Sequence, residues 1–283
     1  MNRPQEIALV CGHELNRAVR SPKAAILFLL YALVASFSGF IFIHVTGAFD
    51  EQLDALHMRD LVDQMGVYRK AVLLFFGEGA ADQAWLFQMP PFLLFFYKFN
   101  LFFLPAFAVL MGFDQLSGEL QTRSLRYLAT RAHRSSVLLG KVLAQFAILA
   151  LLVVLMSLGA LLFTRAAPES SWGVTLLGTL RFCGLTLLVM SAYLSLTALF
   201  SALTRTPLYA LIFALCALVF LWLLGALANF DSLAFLRWLS PATYEPALIS
   251  TKPGEVLPSV AAYLAFSALF LGGALTRLRS RDL

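Results

Sequence analysis

Six long apolar runs divide this chain, and they constrain its fold more than any other feature. Each run is about 20 residues long, the length that a helix needs to cross the hydrocarbon core of a bilayer. Lipid offers no water to pair with open backbone groups, so the runs are expected to be helices. The six predicted spans are Ala24–Val45, Leu93–Phe113, Val137–Phe163, Phe182–Leu203, Pro207–Ala228 and Val256–Leu275.

The composition agrees with a membrane protein and argues against a soluble domain with a large core. Of the 283 residues, 60% are hydrophobic and only 13% are charged, whereas soluble domains carry about 25% charged residues. No repeat or low-complexity segment divides the sequence. We therefore predict an all-α integral membrane protein with six transmembrane helices, folded as a single transmembrane domain over residues 1–283.

The basic residues predict which way the spans face. Lys and Arg are enriched in cytoplasmic segments, and most of the 21 lysines and arginines share one side when both termini are placed inside. We therefore expect a multi-pass protein of the cell inner (cytoplasmic) membrane with both termini in the cytoplasm. Lys98, within the second span near its outer edge, is expected to snorkel towards the headgroups. The alternative is that it lines a pathway.

Two further segments are long enough to carry structure of their own. Residues 1–23 predict an amphipathic helix in the inner interface, whose apolar face contains Ile7, Cys11, Leu15, Ala18 and Val19. The chain should then turn at Ser21-Pro22 into the first span; a plain cytosolic cap is the alternative. Residues 46–92 predict an outer-loop subdomain that rests on the membrane face, since the segment is too short for an independent core.

The sequence contains no constellation typical of catalysis or of a cofactor site. It lacks G-x-x-x-x-G-K-[ST], G-x-S-x-G and H-E-x-x-H. The spans hold almost no ionisable group besides His44 and Lys98, so the midplane acids of an ion-coupled carrier are missing. The cysteines and histidines are scattered, and no basic patch interleaves with aromatic residues. We therefore expect no catalytic residue, cofactor, metal or nucleic acid, and an energy source on a partner protein.

A mixed-charge stretch between the second and third spans, residues 113–141, reads FDQLSGELQTRSLRYLATRAHRSSVLLGK. An acid ends one span, Ser-Gly-Glu follows, and Gly-Lys opens the next span. This order resembles the permease subunits of ATP-binding-cassette (ABC) exporters of the second type, in their single-domain, six-span form. Their usual pattern begins D-x-I-S-G-E-R-E-R-G-T-L-x-x-L-L-x-x-P and reaches a Gly-Lys pair further on. Here Arg123 and Ser124 replace its Gly-Thr, and Ala132 replaces its Pro.

The resemblance implies that residues 114–136 contain a cytoplasmic coupling helix that docks on a separate ABC ATPase subunit. Two ATPase copies would bind the ATP, and a second permease chain, identical or related, would complete the pathway among the membrane lipids. A solvated inner loop is the alternative; it explains the arginines but not the acids or the Ser-Gly-Glu turn. The implied ATPase-coupling residues are Asp114, Ser117, Gly118, Glu119, Arg123, Leu125, Arg126, Leu128, Gly140 and Lys141.

The expected function is thus that of a membrane-spanning permease, which couples ATP hydrolysis by another subunit to export of an unidentified substrate. The chain itself is expected not to be an enzyme. One alternative is an ATPase-linked scaffold or assembly factor of an envelope machine. A further alternative, which leaves the charged stretch unexplained, is an ATP-independent carrier or an intramembrane enzyme.

Overall fold

The computed structural model describes residues 3–55, 72–73, 76, 85–124, 132–164, 172–228 and 230–281, and every regular element in these ranges is helical. Three short 3-10 helices cover Leu86–Gln88, Asp231–Trp238 and Pro241–Tyr244. The α-helices used below are α1 (Arg3–Val19), α2 (Pro22–Ala55), α3 (Pro91–Gly112), α4 (Ser117–Gln121), α5 (Arg134–Thr164), α6 (Trp172–Leu203), α7 (Pro207–Leu227), α8 (Glu245–Leu248) and α9 (Pro253–Ser280).

Six of these helices are long and apolar enough to cross a membrane, namely α2, α3, α5, α6, α7 and α9. This confirms the predicted six-span, all-α architecture. Three helices extend well beyond the predicted apolar runs, because α2 continues to Ala55, α6 already begins at Trp172 and α9 covers Pro253–Ser280. Most of the predicted outer-loop subdomain, residues 46–92, lies outside the described residues.

The helices α3 and α6 form the centre of the bundle. In their apolar stretches 56% and 61% of the residues are buried, against 11% in α9. Large side chains such as Leu104, Met190 and Tyr193 fill the core between them and their neighbours. The outward faces of α2, α5, α7 and α9 carry exposed leucines, isoleucines and phenylalanines, as expected for helices that face lipid.

The hydroxyl groups of α6 serve helix packing. Thr186, Ser195 and Thr197 donate hydrogen bonds to carbonyl oxygens one turn earlier, at 2.7–2.8 Å, which satisfies each hydroxyl inside its own helix. Ser191 additionally lies 3.0 Å from Ser267 of α9. Small polar side chains let α6 approach α9 closely without leaving an unpaired group in the bilayer.

Both termini lie at one end of the bundle, here called the terminal end, and arginines cap the helices there. Arg134, which opens α5, donates to the carbonyl oxygens of Leu278, Arg279 and Arg281 at 2.7, 2.9 and 3.1 Å. Arg281 donates to Leu203 O, at the end of α6, at 2.6 Å. The last carbonyls of a helix lack partners within it, so these guanidinium groups satisfy them and complement the helix dipoles.

At the opposite end, here called the loop end, two cations from the spans hold the segment before α9. Lys98 of α3 pairs with Glu245 of α8 at 2.8 Å. Arg181 of α6 donates to Ile249 O and Ser250 O at 3.0 and 2.6 Å. Lys98, which was expected to snorkel towards the headgroups, thus has its ammonium group bound by a carboxylate of the same chain at this end.

Candidate functional site

The charged connection between α3 and α5, residues 113–133, is here called the elbow, and its first turn is fixed to α6. Ser201 Oγ accepts hydrogen bonds from the backbone N–H groups of Leu116 and Ser117 at 3.0 and 3.1 Å. The same hydroxyl donates to Phe113 O at 2.8 Å, and Ser117 Oγ donates to that carbonyl at 2.7 Å. Two hydroxyls thus replace the backbone hydrogen bonds that α3 loses where it ends.

Asp114 connects the elbow to the start of α2. Its Oδ1 lies 2.6 Å from Lys23 Nζ, and the side chains of Lys23 and Asp114 are 36% and 41% exposed. Lys23 also donates to Met111 O at 3.2 Å and lies over the ring of Phe113, 4.3 Å from its centroid. Exposed ion pairs alone contribute little, but the additional carbonyl and ring contacts give this pair a defined geometry.

A buried ion cluster joins the elbow to α1 and α5. Lys141 Nζ lies 2.7 Å from Glu119 Oε1 and 2.6 Å from Glu14 Oε1. The side chains of Lys141 and Glu119 are only 3% and 11% exposed, and that of Glu14 is 21% exposed. Removing Lys141 would leave its two carboxylate partners without a cation, and an unpaired buried charge typically costs about 3–5 kcal/mol. The cluster therefore holds three separate segments of the chain at fixed positions.

Gly140 allows α1 to lie directly against α5. A Cβ atom at this position would meet Val10 at 2.7 Å and the carbonyl oxygen of Ile7 at 3.0 Å. The Gly-Lys pair thus combines a close helix contact with the central cation of the ion cluster. Of the predicted apolar face of α1, all members except Val19 are partly buried, while Val19 is 69% exposed.

A second contact fixes α1 to the end of the elbow. Glu6, buried in α1, accepts a hydrogen bond from the backbone N–H of His133 at 3.2 Å, and the imidazole Nδ1 lies 3.1 Å from the same carboxylate. The backbone N–H bond, followed by the imidazole, lowers the pKa of Glu6 below its ordinary value. The carboxylate also faces the N-terminus of α5, where the helix dipole favours a negative charge.

The exposed surface of the elbow begins at the last residue of α4. Gln121, Thr122 and Arg123 are all exposed, and Arg123 adopts a φ of 59°. This left-handed conformation at the residue after the helix cap is the one that glycine adopts most easily. It explains why the family pattern has glycine at the position that Arg123 occupies here.

The predicted coupling residues divide into three groups. Most of them are packed into the elbow and its contacts, one faces outward, and three lie outside the described residues. The packed residues are Asp114, Ser117, Gly118, Glu119, Gly140 and Lys141, the outward one is Arg123, and those outside are Leu125, Arg126 and Leu128. Sequence reasoning missed their partners Glu14, Lys23 and Ser201, because these come from segments that no local spacing connects to the elbow.

Six membrane-crossing helices, with a charged connection packed against an N-terminal helix, define a multi-pass membrane protein. The chain belongs to the ABC-2 transporter family: the family model described as "ABC-2 family transporter protein" matches residues 8–270. This confirms the resemblance of the chain to permeases of this type, and permeases of this family generally pair with an ATPase subunit. None of the curated protein sequences compared with the chain matches it.

Proposed function

We propose that this protein is the membrane-spanning permease subunit of an ABC exporter, driven by ATP hydrolysis in a separate ATPase subunit that docks on the elbow. In this proposal the terminal end faces the cytoplasm and the protein lies in the inner membrane. Two ATPase copies and two permease chains, identical or related, form the working complex. The transported substrate moves outward from the cytoplasm.

The observation that carries this proposal is the ion cluster in which Lys141 bonds to both Glu119 and Glu14. It joins α4 of the elbow to α1 and α5, so a displacement of the elbow is passed to two further helices. A flexible loop would absorb the same displacement. A partner protein that transmits force into the spans needs a stiff connection of this kind.

The charges at the terminal end support the proposed orientation. Arg17, Arg20, Arg123, Arg205 and Arg277 belong to segments at this end, and Lys and Arg are enriched on the cytoplasmic side of membrane proteins. A cytoplasmic elbow is also the only one that a cytoplasmic ATPase can reach. Both lines of support lead to the same side of the membrane.

The packed and exposed residues of the elbow take different roles in this proposal. Asp114, Ser117, Glu119 and Lys141 hold the elbow in position, because their side chains bond within the protein. Arg123 is exposed and contacts the ATPase directly. Leu125, Arg126 and Leu128 complete the docking face, as implied by the family pattern.

The test is co-purification of the tagged full-length chain with a lone ABC ATPase encoded by a neighbouring gene. Arg123→Asp reverses one charge with a residue that tolerates a left-handed backbone. We expect this variant to insert normally into the membrane. The amount of ATPase that co-purifies with it should fall at least about tenfold, because one charge-assisted contact is lost. Arg279→Asp is the matched control, because it changes the same charge at an exposed position of the same end.

Two results would contradict the proposal. One is an Arg123→Asp variant that retains the ATPase as well as Arg279→Asp does. The other is a purified complex whose ATP hydrolysis responds to no candidate solute, which would favour the force-transmitting scaffold over the exporter.

A further inference from the structure

Three arginines gather at the terminal end, where α9 ends beside the turn between α6 and α7. They are here called the arginine patch, which consists of Arg205, Arg277 and Arg281. The guanidinium group of Arg281 donates to Leu203 O at 2.6 Å and to Thr204 O at 3.4 Å. These two bonds place Arg281 beside the turn that carries Arg205.

The packing of α9 on α6 brings Arg277 to the same place. Gly273 of α9 lies so close to α6 that an added Cβ would be 3.1 Å from Leu199. Residues four apart lie on one face of a helix, so Arg277 follows Gly273 by one turn towards the end of α6. Burial lowers the pKa of Arg281, and the charges of Arg277 and then Arg205 lower this pKa further. That repulsion agrees with three guanidinium groups in close proximity.

The arginine patch carries an excess of positive charge. None of its members forms an ion pair with a described residue. Arg134, which donates to the carbonyl oxygen of Arg281 at 3.1 Å, adds a fourth positive charge. Asp282 follows Arg281 in the sequence, outside the described residues, and brings a single negative charge. Four cations against one anion leave the patch net positive.

The acids described at the terminal end do not reduce this excess, because each already contacts another group. The contacts are Glu6 with His133, Glu14 and Glu119 with Lys141, and Asp114 with Lys23. The positive charge of the patch is therefore available to an anion from outside the chain.

Exposed apolar and aromatic side chains border the patch. Leu203, at the end of α6, is 40% exposed, while Leu208 and Tyr209, in the first turn of α7, are 63% and 58% exposed. Both helices are long and apolar enough to cross the membrane, so these side chains face lipid near the ends of the spans. The patch thus lies at the boundary between headgroups and acyl chains.

The chemistry of the patch favours a phosphate group that carries hydrocarbon. Arg205 and Arg277 are exposed, and a guanidinium group presents a planar fork of N–H donors that pairs with two phosphate oxygens. Basic clusters beside transmembrane helices are a recurrent kind of site for anionic lipid headgroups. A soluble anion would satisfy the charge but would leave the neighbouring apolar side chains unused.

We propose that the arginine patch binds the headgroup of an anionic phospholipid from the adjacent leaflet. The phosphate lies between Arg205 and Arg277, and the acyl chains lie against the exposed side chains at the ends of α6 and α7. Arg281 positions the two arginines, because it binds the end of α6 from the end of α9. The bound lipid joins these helices at a place separate from the elbow, so the proposal goes beyond ATPase docking.

The experiment titrates the purified full-length chain in detergent with palmitoyl-oleoyl phosphatidylglycerol and counts bound lipids by native mass spectrometry. We expect one lipid for each chain to bind more tightly than the others. The pair Arg205→Gln and Arg277→Gln should weaken this tightest site at least about tenfold, because two charge-assisted contacts are lost.

The pair Arg17→Gln and Arg279→Gln is the matched control. It removes the same charge from two exposed positions of the same end, and Arg279 lies on another face of α9 than Arg277, two residues away. We expect this control to change the affinity by less than about twofold. Equal weakening by both pairs would show that only the total charge attracts the lipid, and the proposal would then be wrong.

A conservative pair tests the role of the planar fork. Arg205→Lys with Arg277→Lys keeps both charges and loses the fork, so its affinity should lie between those of the wild type and the glutamine pair. If the glutamine pair does not fold, Arg277→Gln alone takes its place and should weaken the site about threefold. Undiminished binding by whichever glutamine variant folds overturns the proposal.

Two other ligands test the chemistry of the bound group. Phosphatidylcholine keeps the phosphate and the acyl chains, but its choline cation cancels the charge. Glycerol 3-phosphate keeps the anion and lacks the chains. Both should bind at least about tenfold more weakly than phosphatidylglycerol. Equal binding of phosphatidylcholine would mean that the charge is not recognised, and equal binding of glycerol 3-phosphate would mean a site for soluble anions; either result contradicts the proposal.

The ATPase is the other partner that a basic surface at this end could meet. A glutamine pair that keeps phosphatidylglycerol binding but loses the co-purifying ATPase would make the patch a protein-docking surface, and the lipid site would be rejected. The titration itself uses the permease without its ATPase, so its failure is distinguishable from failure of the docking experiment at Arg123.

Discussion

Arg123 has a φ of 59°, which a residue with a β-carbon adopts only at a cost. We expect Arg123→Gly to stabilise the elbow by about 1 kcal/mol, because glycine adopts this conformation freely. Hydrogen exchange at the amides of residues 121–124 should slow by about fivefold. Thr122→Gly is the matched control, since Thr122 has an ordinary φ of −82°, and it should speed exchange. Faster exchange in Arg123→Gly would show that the side chain, not the backbone, decides the stability of this turn.

Glu6 makes the docking of α1 depend on pH. Its pKa lies below the ordinary value of 4.5, first because of the hydrogen bond from the backbone N–H of His133. A carboxylate with a lowered pKa stabilises the folded state above its unfolded pKa, and the contribution is lost as the pH falls through the folded pKa. We expect α1 to stay docked at neutral pH and to loosen as the pH falls below 4.5.

The measurement for Glu6 is hydrogen exchange of α1 across this acidic range, corrected for the intrinsic pH dependence of exchange. In the Glu6→Gln variant the amides of α1 should exchange faster at neutral pH. Most of the increase in exchange that the wild type shows at acidic pH should be absent. Parallel curves for the wild type and the variant would assign the transition to another group.

At the scale of the elements, Gly140 decides whether α1 and α5 can meet. Gly140→Val should force α1 away, because its Cβ would overlap Val10 and approach the carbonyl of Ile7, and overpacking of this kind costs about 1–3 kcal/mol. Cys11, partly buried in α1, should then react several-fold faster with a maleimide in a background without the other cysteines. Gly159→Val on the same helix has no atom within 4 Å of the new Cβ and should leave the rate unchanged.

The positions of the spans could be predicted closely from the sequence, because a helix that crosses lipid must be apolar along its length. The predicted start at Pro207 coincides with the start of α7, and the predicted Leu93 is close to Pro91 of α3. The start of α6 could not be predicted, since Arg181 interrupts the apolar run. Carbonyl oxygens of a segment 68 residues away bind its guanidinium group and offset the cost of this charge.

The elbow could be predicted only in part. The family pattern records the order of residues along the chain, and this order identified Asp114, Glu119 and Lys141. Glu14 lies 127 residues from Lys141, and no periodicity connects positions so far apart. Hydrogen-bond partners that close a tertiary contact are set by packing, and packing is not visible in local sequence.

At the scale of the whole molecule, the pair Lys98–Glu245 fastens the loop end to the bundle. We expect Lys98→Met or Glu245→Gln alone to destabilise the protein by about 3 kcal/mol, because each leaves a mostly buried charge without a partner. The double variant should cost less than either single one, since no unpaired charge remains. Unfolding in mixed micelles by added sodium dodecyl sulfate measures all three. If the double variant costs as much as the two single variants together, the two charges do not interact.

The ion cluster around Lys141 also bears on the engineering of chimeric transporters. An elbow transplanted from a relative, in order to accept that relative's ATPase, would bring its own acid to Lys141 but would still meet Glu14 of the host. The exchangeable unit is therefore not the elbow alone. It consists of α1, the start of α2, the elbow and the first turns of α5, and a graft that respects those limits keeps both the Lys23–Asp114 pair and the ion cluster together.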